Sequence, residues 1–163
     1  MASQLPSFPR FVFTKFEPIS LLSGFLPAIL NPDWFTHQQL LSHPPSSSQS
    51  TAYPPASRTT TRQLGNMYFL AFLVGIGVLY SPCELKVVRN YLIALWVADL
   101  GHMLITAEAL GWEGTVDVRG WNAMTWGNLG VTMFLFLTRT AYLMGLFGPD
   151  RPRTVVMGAK KTE

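Results

Sequence analysis

Residues 67–80 read MYFLAFLVGIGVLY, a run with no charged side chain and no polar face. A helix in a water-soluble bundle alternates apolar and polar positions with a period of 3.6, and this run does not. Three more stretches share its character, so that apolar blocks cover 11–30, 64–80, 88–110 and 121–147. Crossing a bilayer takes roughly 17–25 mainly apolar residues. The third and fourth blocks meet that length; the second is slightly short and the first carries Lys15 and Glu17 near its start. Charged residues make up 13% of the chain and apolar ones 48%, the charged share being about half that of a soluble domain. The expected fold is all-α: one domain over 1–163, a four-helix transmembrane bundle of antiparallel up-down topology.

The formal charge of +3 needs no nucleic-acid partner. With four spans, the N-terminus, the second loop and the C-terminal tail share one side. That side carries Arg10, Lys15, Lys86, Arg89, Arg151, Arg153, Lys160 and Lys161, against Arg58, Arg62 and Arg119 on the other. The positive-inside rule then puts both termini in the cytoplasm, with the tail at 148–163. The single cysteine, Cys83, excludes an internal disulfide. No cleavable signal peptide is evident, so the first block reads as a retained anchor.

The first loop divides in two. NPDWFTHQQLL suits a short interfacial helix with Trp34 and Phe35 at headgroup level. The Ser-, Thr- and Pro-rich stretch 43–62 buries too little apolar surface to offset its ordering entropy and is expected to be flexible.

Ionisable groups inside the apolar blocks are the candidates for function, because a charge at mid-bilayer costs about 2.5–3.5 kcal/mol on insertion scales. On the third block Asp99, His102 and Thr106 fall within roughly 60° of one another at about 100° per residue. On the fourth, Thr125, Asn128, Thr132, Arg139 and Tyr142 share an arc of about 100°, interrupted by Leu135. On the first, Glu17, Ser20, Gly24 and Ala28 share a face, and the last three form a ladder of small residues that permits close helix approach. Glu17 and Arg139 come to similar depths, about 9 Å and about 12 Å from the cytoplasmic end, and can meet. Asp99 and His102 are i, i+3 neighbours, an arrangement suited to proton transfer, and Asn128 lies near enough to join them. Glu17, Asp99 and His102 are the candidate catalytic groups. Trp96, Thr106, Asn128, Thr132 and Arg139 are the candidate ligand contacts, Trp96 through a cation–π face. Phosphate loops, dinucleotide fingerprints, zinc spacings and serine elbows are all absent, so no cofactor and no metal are expected.

Three stretches carry a resemblance: FVFTKFEPIS, ALWVADLGHM and RTAYLMGLFGPDR. They resemble a family of small, four-span fungal membrane proteins of unknown function. The resemblance implies a fungal endomembrane setting such as the endoplasmic reticulum, and sometimes a link to secondary metabolism, but no reaction. In architecture alone the chain is similar to the four-helix membrane domains of sterol isomerases and sigma-2-type receptors, and to small fungal terpene cyclases.

The expected partners are the bilayer and either a hydrophobic small molecule or another membrane protein. Three functions are compatible with these residues: a binding module for a lipid-soluble molecule or membrane partner, an intramembrane acid/base isomerase or cyclase acting on a sterol-like or terpenoid substrate, and a proton-linked carrier subunit.

Overall fold

The computed structural model describes residues 4–39, 53–81 and 84–150. Every regular element among them is helical. The first rod starts as α1 (Ser7–Phe11), widens into a π turn over Val12–Phe16, and continues as α2 (Glu17–Leu30). Proline explains the widening. Pro18 has no N–H for the Thr14 carbonyl one turn below, and the Glu17 N–H reaches back five residues to Val12 O instead. The Tyr80 hydroxyl, from another rod, donates to the orphaned Thr14 carbonyl at 2.9 Å.

Asn31 breaks the rod at φ −139°. Its side chain caps α3 (Pro32–Gln38) by accepting the Trp34 N–H at 3.2 Å, with Pro32 pre-set for the first helical turn. The second rod, α4, runs Pro55–Tyr80, and the third, α5, runs Leu85–Val116. The α5 helix is interrupted at Gly111, whose φ of 69° and ψ of 172° are open essentially to glycine alone. A 3₁₀ turn over Val118–Gly120 leads to the last rod: α6 (Ala123–Thr125), a second π turn over Trp126–Val131, and α7 (Thr132–Leu143). A Schellman cap ends it, with Gly145 at φ 76° and the Leu146 N–H on Ala141 O at 3.0 Å.

Successive rods run in opposite directions. Tyr80 meets Thr14, and Arg89 meets Asp150, at one end; Arg58 meets Asp33, and Asn122 meets Gln38, at the other. The first rod packs along α4, α4 on α5, α5 along α7, and α1 on α7, which closes a ring. At the end holding the N-terminus, Leu5, Val12, Phe13, Leu79, Val88, Leu92, Leu135 and Tyr142 form a buried core. The small-residue ladder operates as its spacing suggests. Ala28 is fully buried against Gly65, where a Cβ would lie 3.0 Å from that of Ala28.

Two helices, α4 and α5, are long and apolar enough to cross a membrane. The stretch expected to be flexible needs correction: residues from Pro55 onward belong to α4. Pro55 opens the helix, and α3 supplies the partners that order it. Arg58 pairs with Asp33 at 2.6 Å and the Thr61 and Thr36 hydroxyls share a hydrogen bond of 2.7 Å. Phe35 is buried rather than at a headgroup surface, edge-on to Tyr68. The start of the expected tail is also tied down, Asp150 accepting from Arg89 at 2.6 Å and from the Tyr142 hydroxyl at 3.0 Å. The rest of the Ser/Pro loop, Cys83 and the basic tail from residue 151 lie outside the described residues.

Replacing Gly65 by Leu should cost about 1–3 kcal/mol, the usual penalty of overpacking. Chemical unfolding of the detergent-solubilised chain reads that loss.

Candidate functional site

Arg139 is fully buried at the centre of the bundle and is shared by two carboxylates. Its Nη2 donates to Glu17 Oε1 and its Nη1 to Asp99 Oδ2, joining the first rod, α5 and α7 through one guanidinium. The Phe13 ring lies 5.5 Å from the guanidinium carbon and gives the cation an aromatic face. The π turn before Glu17 sets that residue's phase on the rod, and a second π turn does the same for Asn128. Such turns often mark functional positions in helices. Glu17 Oε2 and Arg139 Nε are buried without a protein partner.

A cavity of about 470 Å³ extends from this cluster toward α3. Glu17, Asp99 and Leu135 are its inner end, and Gly24, Tyr68, Leu95 and Val131 contribute walls. Trp34, Ala123 and Met124 lie at its outer end. Ser23, Ala98 and Gly127 line it while remaining exposed, so the cavity opens through the side of the bundle.

Several sequence expectations are redirected by this geometry. Asp99 and His102 both line the cavity but do not pair: Asp99 is engaged by Arg139, and His102 faces the Asn128 side chain. A guanidinium is a stronger partner for a carboxylate than an imidazole, and it approaches from another rod. Asn128 donates to Gln39 Oε1 at 2.9 Å, which fastens α3 to the last rod. Trp96 is not a cavity residue. Its indole N–H donates to Thr140 Oγ1 at 2.8 Å and one face of its ring stacks on Phe136. Thr106 bonds its own helix at the His102 carbonyl and lies off the cavity. Thr132 lines the cavity, with its hydroxyl on the Gly127 carbonyl at 3.3 Å.

Sequence reasoning did not find the α3 contacts. Asn122 donates to Gln38 O at 3.0 Å and accepts from both the N–H and the hydroxyl of Thr125. Trp34, expected at headgroup level, and Tyr68, on which no sequence expectation falls, are both on the cavity wall. Nothing in their local sequence distinguishes them from the many other aromatics of the chain.

Chemically, the arrangement is one guanidinium bridging two carboxylates that both line a mainly apolar cavity, and Glu17 Oε2 is a buried acceptor with no donor among the described residues. Such a site can accept a hydrogen bond or a proton there. Residues 2–149 match a family described as a domain of unknown function, DUF7704. The chain belongs to the DUF7704 family. No curated protein and no solved structure matches it. The DUF7704 match therefore spans all four rods, α3 and the whole cavity, and assigns them no activity.

Two outcomes are expected at this site in the DUF7704 chain. Arg139→Met leaves two buried carboxylates without a counter-charge and should cost about 3–5 kcal/mol of stability. Adding Glu17→Gln and Asp99→Asn to that variant should recover most of the loss, read by denaturant titration. The second outcome concerns α3. Its hydrogen bond from Arg58 holds the Asp33 carboxyl below the ordinary 3.8. A depressed value means the contribution to docking is complete above 3.8 and fades as pH falls through the lower, folded-state value. The difference in tryptophan fluorescence between the native chain and Trp34→Phe should therefore change only in that acidic window, and Arg58→Ala should remove the transition.

Proposed function

We propose that this protein is a four-span integral membrane protein that binds a lipid-soluble small molecule in the cavity beside the Glu17–Arg139–Asp99 cluster. Besides α4 and α5, the first and last rods continue unbroken through their π turns. They reach about 36 Å and about 32 Å at 1.5 Å per residue, enough for a hydrocarbon core of about 30 Å. Ile19, Leu73, Ile105 and Leu137, one from each rod, are between 49% and 70% exposed. Side chains of this kind facing outward on every rod suit lipid tails and not water. Arg10, Lys15, Lys86 and Arg89 gather at the end opposite α3, which favours both termini in the cytoplasm. The endomembrane setting enters this reading only through the resemblance of the three stretches quoted above.

The observation that carries the binding reading is the cavity itself. Its volume of about 470 Å³ falls in the roughly 300–1,000 Å³ range of small-molecule sites. Its lining also has their usual form, largely apolar walls with a few converging polar groups. An acid/base role on the same ligand would fall to the Glu17 and Asp99 carboxylates that share Arg139, rather than to an Asp99–His102 pair.

The test is photolabelling of the full chain in phosphatidylcholine nanodiscs with a diazirine-bearing dodecanol. Cross-links should concentrate on cavity-wall peptides from α2, α5 and the last rod. A Cβ at Gly127 meets nothing within 4 Å, so a side chain can start there freely, and Gly127→Phe is chosen to obstruct the cavity mouth. It should lower those cross-links to the level of the lipid-facing surfaces. Equal labelling of wall and outer surfaces in the native chain would refute the reading.

A further inference from the structure

We infer that the bound molecule carries a protonated primary or secondary amine, whose ammonium sits against the Glu17 and Asp99 carboxylates at the inner end, with its apolar body along the cavity. This inference rests on the binding reading above and adds the chemistry of the ligand's head.

Charge comes first. The cluster holds two carboxylates and one guanidinium, so with both carboxylates ionised it carries one excess negative charge in an apolar surrounding. Among the described residues no Lys or Arg lines the cavity, and Arg139 is already engaged by both carboxylates. An isolated charge in such a place is costly unless it is paired. A monocation in the cavity would complete the balance. An anionic head would add to the excess, and a neutral head would leave it unchanged.

Hydrogen bonding points the same way. The Glu17 side chain is 7% exposed, yet its Oε2 has no donor among the described residues. Pro27, also on the wall, has no N–H to give to the Ser23 carbonyl one turn below. That carbonyl therefore lacks its usual α-helical donor on the face that meets the cavity. Along α2, the two vacant groups, Glu17 Oε2 and the Ser23 carbonyl, are thus both acceptors. An ammonium offers donors and no acceptor, whereas a quaternary ammonium offers the charge without the donors. Tyr68 and Trp34 add aromatic walls along the path of a cationic amphiphile.

The surrounding medium makes the head decisive. A ligand that leaves lipid tails for an apolar cavity gains no hydrophobic free energy, because both media are equally greasy. Selectivity must then come from the polar atoms at the inner end.

The experiment compares matched diazirine probes, dodecylamine, dodecanol and dodecanoate, on the full chain in phosphatidylcholine nanodiscs. The amine should label the cavity wall about tenfold or more above the alcohol, the worth of one charge-assisted hydrogen bond, and the acid least of all. Glu17→Gln leaves Arg139 paired one-to-one with Asp99 and should bring amine and alcohol to parity, with alcohol labelling retained as the sign of an intact cavity. Asp99→Asn, which also removes the excess charge, should reduce the amine preference too. Equal labelling by amine and alcohol in the native chain overturns this inference while leaving the cavity a binding site. An amine preference that survives Glu17→Gln also overturns it. Failure of every probe to label the wall removes the binding reading itself.

Discussion

One fully buried guanidinium organises the bundle. Arg139 reaches two rods besides its own, so Glu17 and Asp99 are held at one level and the phase of three helices is fixed relative to a single group. Below it, toward the N-terminal end, side chains interdigitate into an apolar core; above it they part to leave a cavity. The second rod, α4, has no share in the cluster. It is held by shape at Gly65 and by the Tyr80 hydroxyl, which serves the Thr14 carbonyl. A buried ion cluster of this kind is poor value as a stabiliser, since apolar side chains of equal volume often do as well or better. Its presence at the inner end of a cavity is more naturally explained by the ligand proposed for that cavity.

The two prolines of the first rod illustrate how the same chemical defect is treated differently at two depths. Pro18 frees the Thr14 carbonyl, and a tyrosine from a neighbouring helix fills the vacancy. Pro27 frees the Ser23 carbonyl at a wall where small side chains keep the space open. In hydrocarbon an unanswered backbone carbonyl is expensive and is tolerated mainly where it is buried in protein or lines a cavity. The first proline is absorbed into packing, while the second leaves an acceptor where a guest can use it.

Much of this architecture was legible in the residue order. Long runs without a polar face dictate helices, and depth counted along antiparallel rods brings Glu17 and Arg139 to the same level, where the structure has them in contact. Burial of Thr125, Asn128, Arg139 and Tyr142 follows from their common arc. Contacts between rods were harder to read. Sharing a face at i, i+3 makes Asp99 and His102 neighbours, but which group each one faces depends on helices distant in sequence, and a guanidinium from α7 claimed Asp99. Trp96 shares that broad face yet turns to Thr140 and Phe136. Composition misled over residues 55–62, because Ser, Thr and Pro were weighed for disorder without the tertiary partners that α3 supplies. Pro18 was readable as a helix perturbation, but not the tyrosine that answers it, some sixty positions away.

Ser23, Ala98 and Gly127 are wall residues that also face outward, and a doorway of that sort has a consequence for how affinity is set. On the proposed binding reading, a guest entering through the flank would arrive from the membrane, a reservoir that concentrates greasy compounds far above their aqueous level. Occupancy then follows the mole fraction of guest among lipids. Two amphiphiles of equal intrinsic fit would rank by how strongly each partitions into the leaflet, so tail length governs supply and head chemistry governs retention.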